Sequence, residues 1–169
     1  MKGITQIIWL CCISVVLTSC GIYKFRDASI PPNVKTIKIS FIENRATYVN
    51  PQLAQKFTDK IQQKIIGNTK LSRTNDDNAN WIIGGTITVY DATQTVGVSA
   101  QQASTNRLTV TLHMTLRDNT KNGELTEFDV SRNFDYSANL SLQQAEGQLI
   151  EEVVRSLTDD IFNRIFSNW

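Results

Sequence analysis

The chain has 169 residues, with 17 basic and 16 acidic side chains and a formal net charge of +1. That balance argues against a nucleic-acid binder, whose affinity rests on neutralising phosphates with surplus Lys and Arg, and against loose electrostatic adhesion to anionic lipid. One histidine and three cysteines, two of them among the first twelve residues, leave little for a metal centre or a disulfide framework.

In chain order, Lys2 precedes an apolar run from Ile4 to Leu17 that ends in Leu17-Thr18-Ser19-Cys20. A charged start, a short apolar stretch and small residues before a cut describe a secretory signal peptide over residues 1–19. The run is shorter than the roughly 20 apolar residues a membrane span needs. The Cys directly after the small residues resembles a bacterial lipobox, which implies cleavage before Cys20 and acylation of its thiol. Removing the leader takes away one charge, Lys2, so basic and acidic residues balance exactly in number. Residues 20–34, with Pro31-Pro32, are expected to form a short lipidated tether, and residues 35–169 a single domain.

Lys35 to Glu43 alternates, with Ile37, Ile39 and Phe41 on one face, and predicts a first strand. Asn50-Pro51 predicts a helix start, with Asn as N-cap and Pro in the first turn. Leu53, Phe57, Ile61 and Ile65 give that helix one apolar stripe, and Gly67-Asn68 is expected to end it. Residues 68–80 are polar and turn-rich, with a short strand expected at Leu71. Trp81 to Tyr90 predicts a second strand, where Gly84-Gly85 suggests a bulge or a close backbone contact. Residues 92–106 carry no charged side chain and are rich in Thr, Gln, Ser and Ala; they are expected to form the tip of a long hairpin or a loop. Arg107 to Asp118 is the clearest strand: Leu108, Val110, Leu112, Met114 and Leu116 point one way, and Arg107, Thr109, Thr111, His113 and Thr115 the other. Glu124 to Tyr136 is a fourth strand whose apolar face Arg132 interrupts, which calls for a bulge or an edge position. Ser141 with Gln144 three residues on is a capping box, opening a long helix with the stripe Leu149, Val153, Leu157, Ile161 and Ile165.

The expected fold is therefore α+β: a mixed four-stranded sheet in the order β-α-β-β-β-α, with both helices on one face and the other face bare. The first two long strands are expected to run parallel through the helical crossover, and the rest antiparallel.

Catalytic constellations are missing. His113 stands alone and points outward, so neither a zinc site nor a Ser-His-acid triad can be assembled around it. Asp76-Asp77-Asn78 lacks the spacing of a calcium loop, and Asp159-Asp160 sit at adjacent helical positions that do not share a face. The expectation is a protein with no enzymatic activity and no cofactor.

Several stretches together resemble a known family: Cys20 to Phe25, the strand Lys35 to Ile39, Val49-Asn50-Pro51-Gln52-Leu53, Asn106 to Val110, Leu149 to Glu152, Asp160 to Asn163 and the final Ser167-Asn168-Trp169. Their order is similar to the LptE family of lipopolysaccharide-assembly lipoproteins, in its Bacteroidetes form. The resemblance implies two helices against a four-stranded sheet, a lipid-anchored place on the periplasmic side of the cell outer membrane, an LptD-like β-barrel as partner, and lipopolysaccharide as the cargo of the pair. On that implication the bare sheet face becomes the expected plug surface. Polar yet almost uncharged, it carries Thr86, Thr88, Tyr90, Thr109, Thr111, His113 and Thr115, with Arg107 placed to pair with an acidic lumen residue or a lipid phosphate, and it continues into the charge-free stretch 92–106. Two other classes stay open at this point: a periplasmic lipoprotein that activates an envelope enzyme or builds a secretion apparatus, and a lipid-binding lipoprotein.

Overall fold

The two long alternating segments on either side of residues 97–104 become paired strands, and everything else is laid against them. The computed structural model describes residues 30–96 and 105–167; the leader, Cys20 and residues 97–104, where the sequence predicts a hairpin tip or a loop, lie outside that range. In chain order the described elements are β1 (Thr36–Ile39), β2 (Glu43–Asn44), α1 (Leu53–Asn68), β3 (Ser72–Arg73), β4 (Trp81–Val96), β5 (Thr105–Asp118), a single 3-10 turn (Asn119–Lys121), β6 (Glu124–Ser137) and α2 (Leu142–Phe166). The strands form one sheet in the order β3-β1-β4-β5-β6, with β2 also on β4. β1 runs parallel to β3 and β4, while β4, β5 and β6 are antiparallel neighbours. The α+β class and the parallel crossover agree with the sequence, but the sheet has six strands rather than four.

The extra strands have physical causes. β3 is the short strand expected near Leu71. The predicted first strand is split in two, because the chain kinks between Ile39 and Glu43. Ile42 turns fully into the core there, and Phe41 is left 55% exposed, contrary to the alternation. Gly85 on β4 makes this possible. A Cβ at Gly85 would stand 2.5 Å from Met114 Sδ and 3.1 Å from Ile42 Cδ1, so those two side chains occupy the space that a larger residue would fill. The Ile42 amide finds the Thr58 hydroxyl of α1 at 3.0 Å, so the kink leaves no buried donor unpaired at that residue.

α1 begins at Leu53, two residues beyond the expected start. Asn50 still serves the turn before it, with its side-chain oxygen accepting from the Gln52 amide at 3.0 Å. Leu53, Phe57, Ile61 and Ile65 are buried as the stripe predicts. Lys56 and Lys64 do not simply face water: they bridge to Glu151 and Asp159 of α2. At the other end of α1 the helix continues through Gly67 to Asn68, where the Asn68 amide and the Thr69 hydroxyl donate to the Lys64 and Ile65 carbonyls.

α2 starts at the capping box of Ser141 and Gln144. Val153, Leu157 and Ile161 are buried against the sheet, together with Leu108, Val110, Leu112 and Met114 from β5. Phe166 at its C-terminus packs on Trp81, with ring centroids 5.9 Å apart. β6 is an edge strand in unbroken register with β5, so the anomaly at Arg132 is an edge feature and not a bulge. Arg132 bridges to Asp160 of α2, with Nη2 donating to Oδ1 at 2.8 Å. Asn122 and Gly123, both at positive φ, close the β5–β6 connection.

Candidate functional site

The helices leave one face of the sheet open, and β5 supplies its central row. Each outward β5 side chain meets a β6 residue directly across the strand pair. Arg107 clasps Asp135 in a two-pronged ion pair, at 2.7 and 3.0 Å. The Thr109 hydroxyl donates to Asn133 Oδ1 at 2.9 Å, the Thr111 and Ser131 hydroxyls lie 2.8 Å apart, and His113 Nδ1 meets Asp129 Oδ1 at 2.8 Å. The result is a four-rung polar ladder running along the strands, of the cross-strand type that stabilises antiparallel sheets. Arg107 holds the Asp135 carboxyl below its usual range, chiefly through their hydrogen bond.

The expected site residues divide as follows. Thr109, Thr111 and Thr115 stand on this face, Thr86 lies across from His113, and Thr88 is exposed at a bulge, where its hydroxyl donates to the Thr111 carbonyl at 3.3 Å. Tyr90 does not belong with them. The β4 register slips between Ile87 and Val89, which turns Val89 out to the open face and Tyr90 in to the helix side, where it is 5% exposed. A slip of one residue exchanges faces for everything beyond it. Arg107 is already paired with Asp135 and so is not a free cation awaiting a phosphate. Nor is the face almost uncharged: β6 brings Glu127, Asp129 and Asp135 to it.

Tyr90 instead joins a cluster that sequence reasoning missed. Glu146, in the second turn of α2, is 9% exposed. Its carboxylate accepts from the Tyr90 hydroxyl at 2.7 Å, the Asn50 side-chain amide at 3.0 Å and the Tyr48 hydroxyl at 3.3 Å. The Tyr48 and Tyr90 rings stack 5.6 Å apart. Burial, followed by the Glu146 hydrogen bond, pushes the Tyr90 hydroxyl well above the ordinary tyrosine range. The cluster ties the loop after β2, the middle of β4 and the start of α2 together. The one local signal for it is that Glu146 stands three residues before Leu149, in line with the apolar stripe of α2. Among the described residues no group of His, Cys, Asp and Glu is arranged to hold a metal, and no helix is long and apolar enough to cross a membrane.

The family model for LptE, lipopolysaccharide assembly, matches residues 34–165. The chain belongs to the LptE family. The match spans β1 through almost all of α2, and so includes both the ladder and the Glu146 cluster. LptE proteins work in assembly rather than catalysis, which places this chain in lipopolysaccharide assembly at the cell envelope. No curated protein sequence matches the chain. Solved structures show the same fold at low identity. A candidate homologue of neuraminyllactose-binding hemagglutinin from Helicobacter pylori is 9% identical with a TM-score of 0.57, covering 86% of this chain and 90% of its own. The PelC dodecamer from Paraburkholderia phytofirmans is 12% identical with a TM-score of 0.51, covering 83% and 96%.

Proposed function

We propose that this LptE-family chain is an outer-membrane lipoprotein, cleaved after Ser19 and acylated at Cys20, whose open sheet face contacts an LptD-like β-barrel that carries lipopolysaccharide outward. The ladder on β5 and β6 is the observation that carries the choice of face. A barrel lumen is polar and accepts a plug, and entering it strips water from both surfaces. Buried polar groups are tolerated where they stay hydrogen-bonded, and buried charges where they are paired. Every rung from Arg107–Asp135 to His113–Asp129 is hydrogen-bonded, and the Arg107 and Asp135 charges are paired, before any partner arrives. Their remaining lone pairs, with Thr86 and Thr88 beside them, are free to accept from the barrel. Thr115 and Glu127, which lack such a rung, mark the fringe of the surface, and Tyr90 takes no part in it.

Affinity purification of the chain from outer membranes tests the partner, and a double substitution tests the face. Thr109→Glu with Thr111→Glu breaks two rungs and sets new carboxylates beside Asp129 and Asp135. Both side chains point away from the core, so circular dichroism should show an intact domain, while recovery of the barrel should fall about tenfold or more, the effect of roughly 1.4 kcal/mol or greater. Full recovery with a folded double variant excludes this face. A purification that yields an envelope enzyme or a ring of the chain itself, with no barrel, overturns the functional reading.

A further inference from the structure

The near-zero net charge conceals a division along the strand axis. β1, β3 and β4 start at the same end of the sheet, where β5 finishes and β6 begins. The Trp81–Phe166 contact brings the C-terminus of α2 to that end as well. Lys35, Lys70, Arg73, Arg117 and Arg164 gather there, all exposed and none in an ion pair with a described residue. Of the acidic residues of that end, Asp77 pairs with Lys38 and Glu124 with Lys121, while Asp118 and Asp76 are hydrogen-bonded to the Thr120 and Asn78 amides and keep their charge, so five cations face two uncancelled carboxylates. Toward the hairpin end the arrangement reverses. Arg45, Lys56, Arg107 and Arg132 are each matched by a carboxylate, and no described cation pairs with Asp91, Glu146 or Glu152.

The described chain begins at the basic end, with Ile30 and Pro31 leading through Val34 into β1. From Cys20 to Ile30 is ten residues, a reach of at most about 36 Å. β4 alone is 16 residues long, which sets the hairpin end about 50 Å from the basic end. A lipid on Cys20 therefore keeps the basic end within reach of the bilayer surface, where exposed Lys and Arg are attracted to anionic headgroups.

We infer that the end carrying Lys35, Lys70, Arg73, Arg117 and Arg164 is a docking surface for the anionic phospholipid headgroups of the leaflet that holds the anchor. Docked in this way, the free lipoprotein stands with its strands steeply inclined to the membrane. The open face is then presented sideways, clear of lipid, before the barrel captures it. The inference rests on the Cys20 anchor and not on the identity of the barrel.

The test uses the full acylated chain in vesicles of phosphatidylcholine alone, or of phosphatidylcholine with phosphatidylglycerol. A fluorophore is attached at Ser72→Cys near the basic end, or at Thr47→Cys in the loop after β2, which lies farther along the strands beside the middle of β4, and the lipid headgroups carry a quencher. Quenching at position 72 should exceed that at 47 several-fold in the anionic vesicles. The difference should collapse at high salt, which screens exposed charges, and in the triple variant Lys70→Glu, Arg73→Glu, Arg117→Glu, whose folding is checked by circular dichroism. Equal quenching at the two positions, or a difference indifferent to phosphatidylglycerol, overturns the docking surface while leaving the anchor intact. An N-terminus without acyl mass at Cys20 overturns the anchor itself, and the docking surface with it.

Discussion

Glu146 shows how much one buried side chain can organise. Its three donors come from separate parts of the chain, and no Lys or Arg shares the site. Glu146→Ala leaves the Tyr90 hydroxyl and the Asn50 amide without their acceptor, and each unsatisfied buried group costs about 1–3 kcal/mol. Urea melts should therefore show a clear loss for Glu146→Ala and a smaller one for Tyr90→Phe. The cluster also predicts a pH dependence. The Tyr90 hydroxyl keeps its proton in the folded state beyond the ordinary value of 10.0, so above that pH the unfolded chain holds fewer protons than the folded one. Stability is then fully present below pH 10 and declines above it, and Tyr90→Phe should flatten the decline. Tyr90 was not legible as a core residue, since strict alternation places it beside Thr86 and Thr88. The slip after Ile87 depends on pairing with β5, a partner more than twenty residues away in sequence. The inward parity of Leu112 and Leu157 was legible, because each sits within a long unbroken pattern. Both are fully buried, so truncation of either to Ala should cost about 2–5 kcal/mol in thermal melts; unchanged midpoints for both would contradict the packing described.

Among the elements, α2 and β5 could be read almost to their ends, because a capping box and a five-residue apolar row are local signals. β1 and β2 could not. Their kink answers to Gly85 and Met114 on other strands and to a hydroxyl on α1, none of which shows in the alternation of residues 35–43. β6 lies between these cases: its pattern was clear, and the single violation at Arg132 marked a real feature. A 14-residue edge strand presents a row of unpaired backbone groups to any other strand, and an inward-pointing charge is one of the ways natural sheets discourage such pairing. Arg132 occupies the helix side of the strand between Val130 and Phe134 and is held there by Asp160. Arg132→Val completes the apolar row and removes the charge, so it should promote self-association, seen as a rise in mass by sedimentation of the detergent-solubilised chain. Arg132→Lys should remain at the mass of the parent. A monomeric, folded valine variant would assign the protection of this edge to something else.

For the whole molecule, the sequence conveyed the layer arrangement and the bare face but misjudged that face's charge. β5 alone reads as threonine-rich and neutral; the carboxylates arrive only when β6 is paired with it in register. What distinguishes the face is that its polar groups are already partnered, which no single strand can reveal. The same holds for total charge, where a balanced composition conceals a cluster of unpaired cations at one end of the sheet. The central claim is that an LptE-family chain meets its barrel through the ladder and not through its helices. A photo-crosslinking residue placed at Thr111, or at Gln63 on the exposed side of α1, in cells that express the barrel tests this most directly. A barrel adduct should form from position 111 and not from position 63; an adduct from 63 with 111 silent would contradict the account.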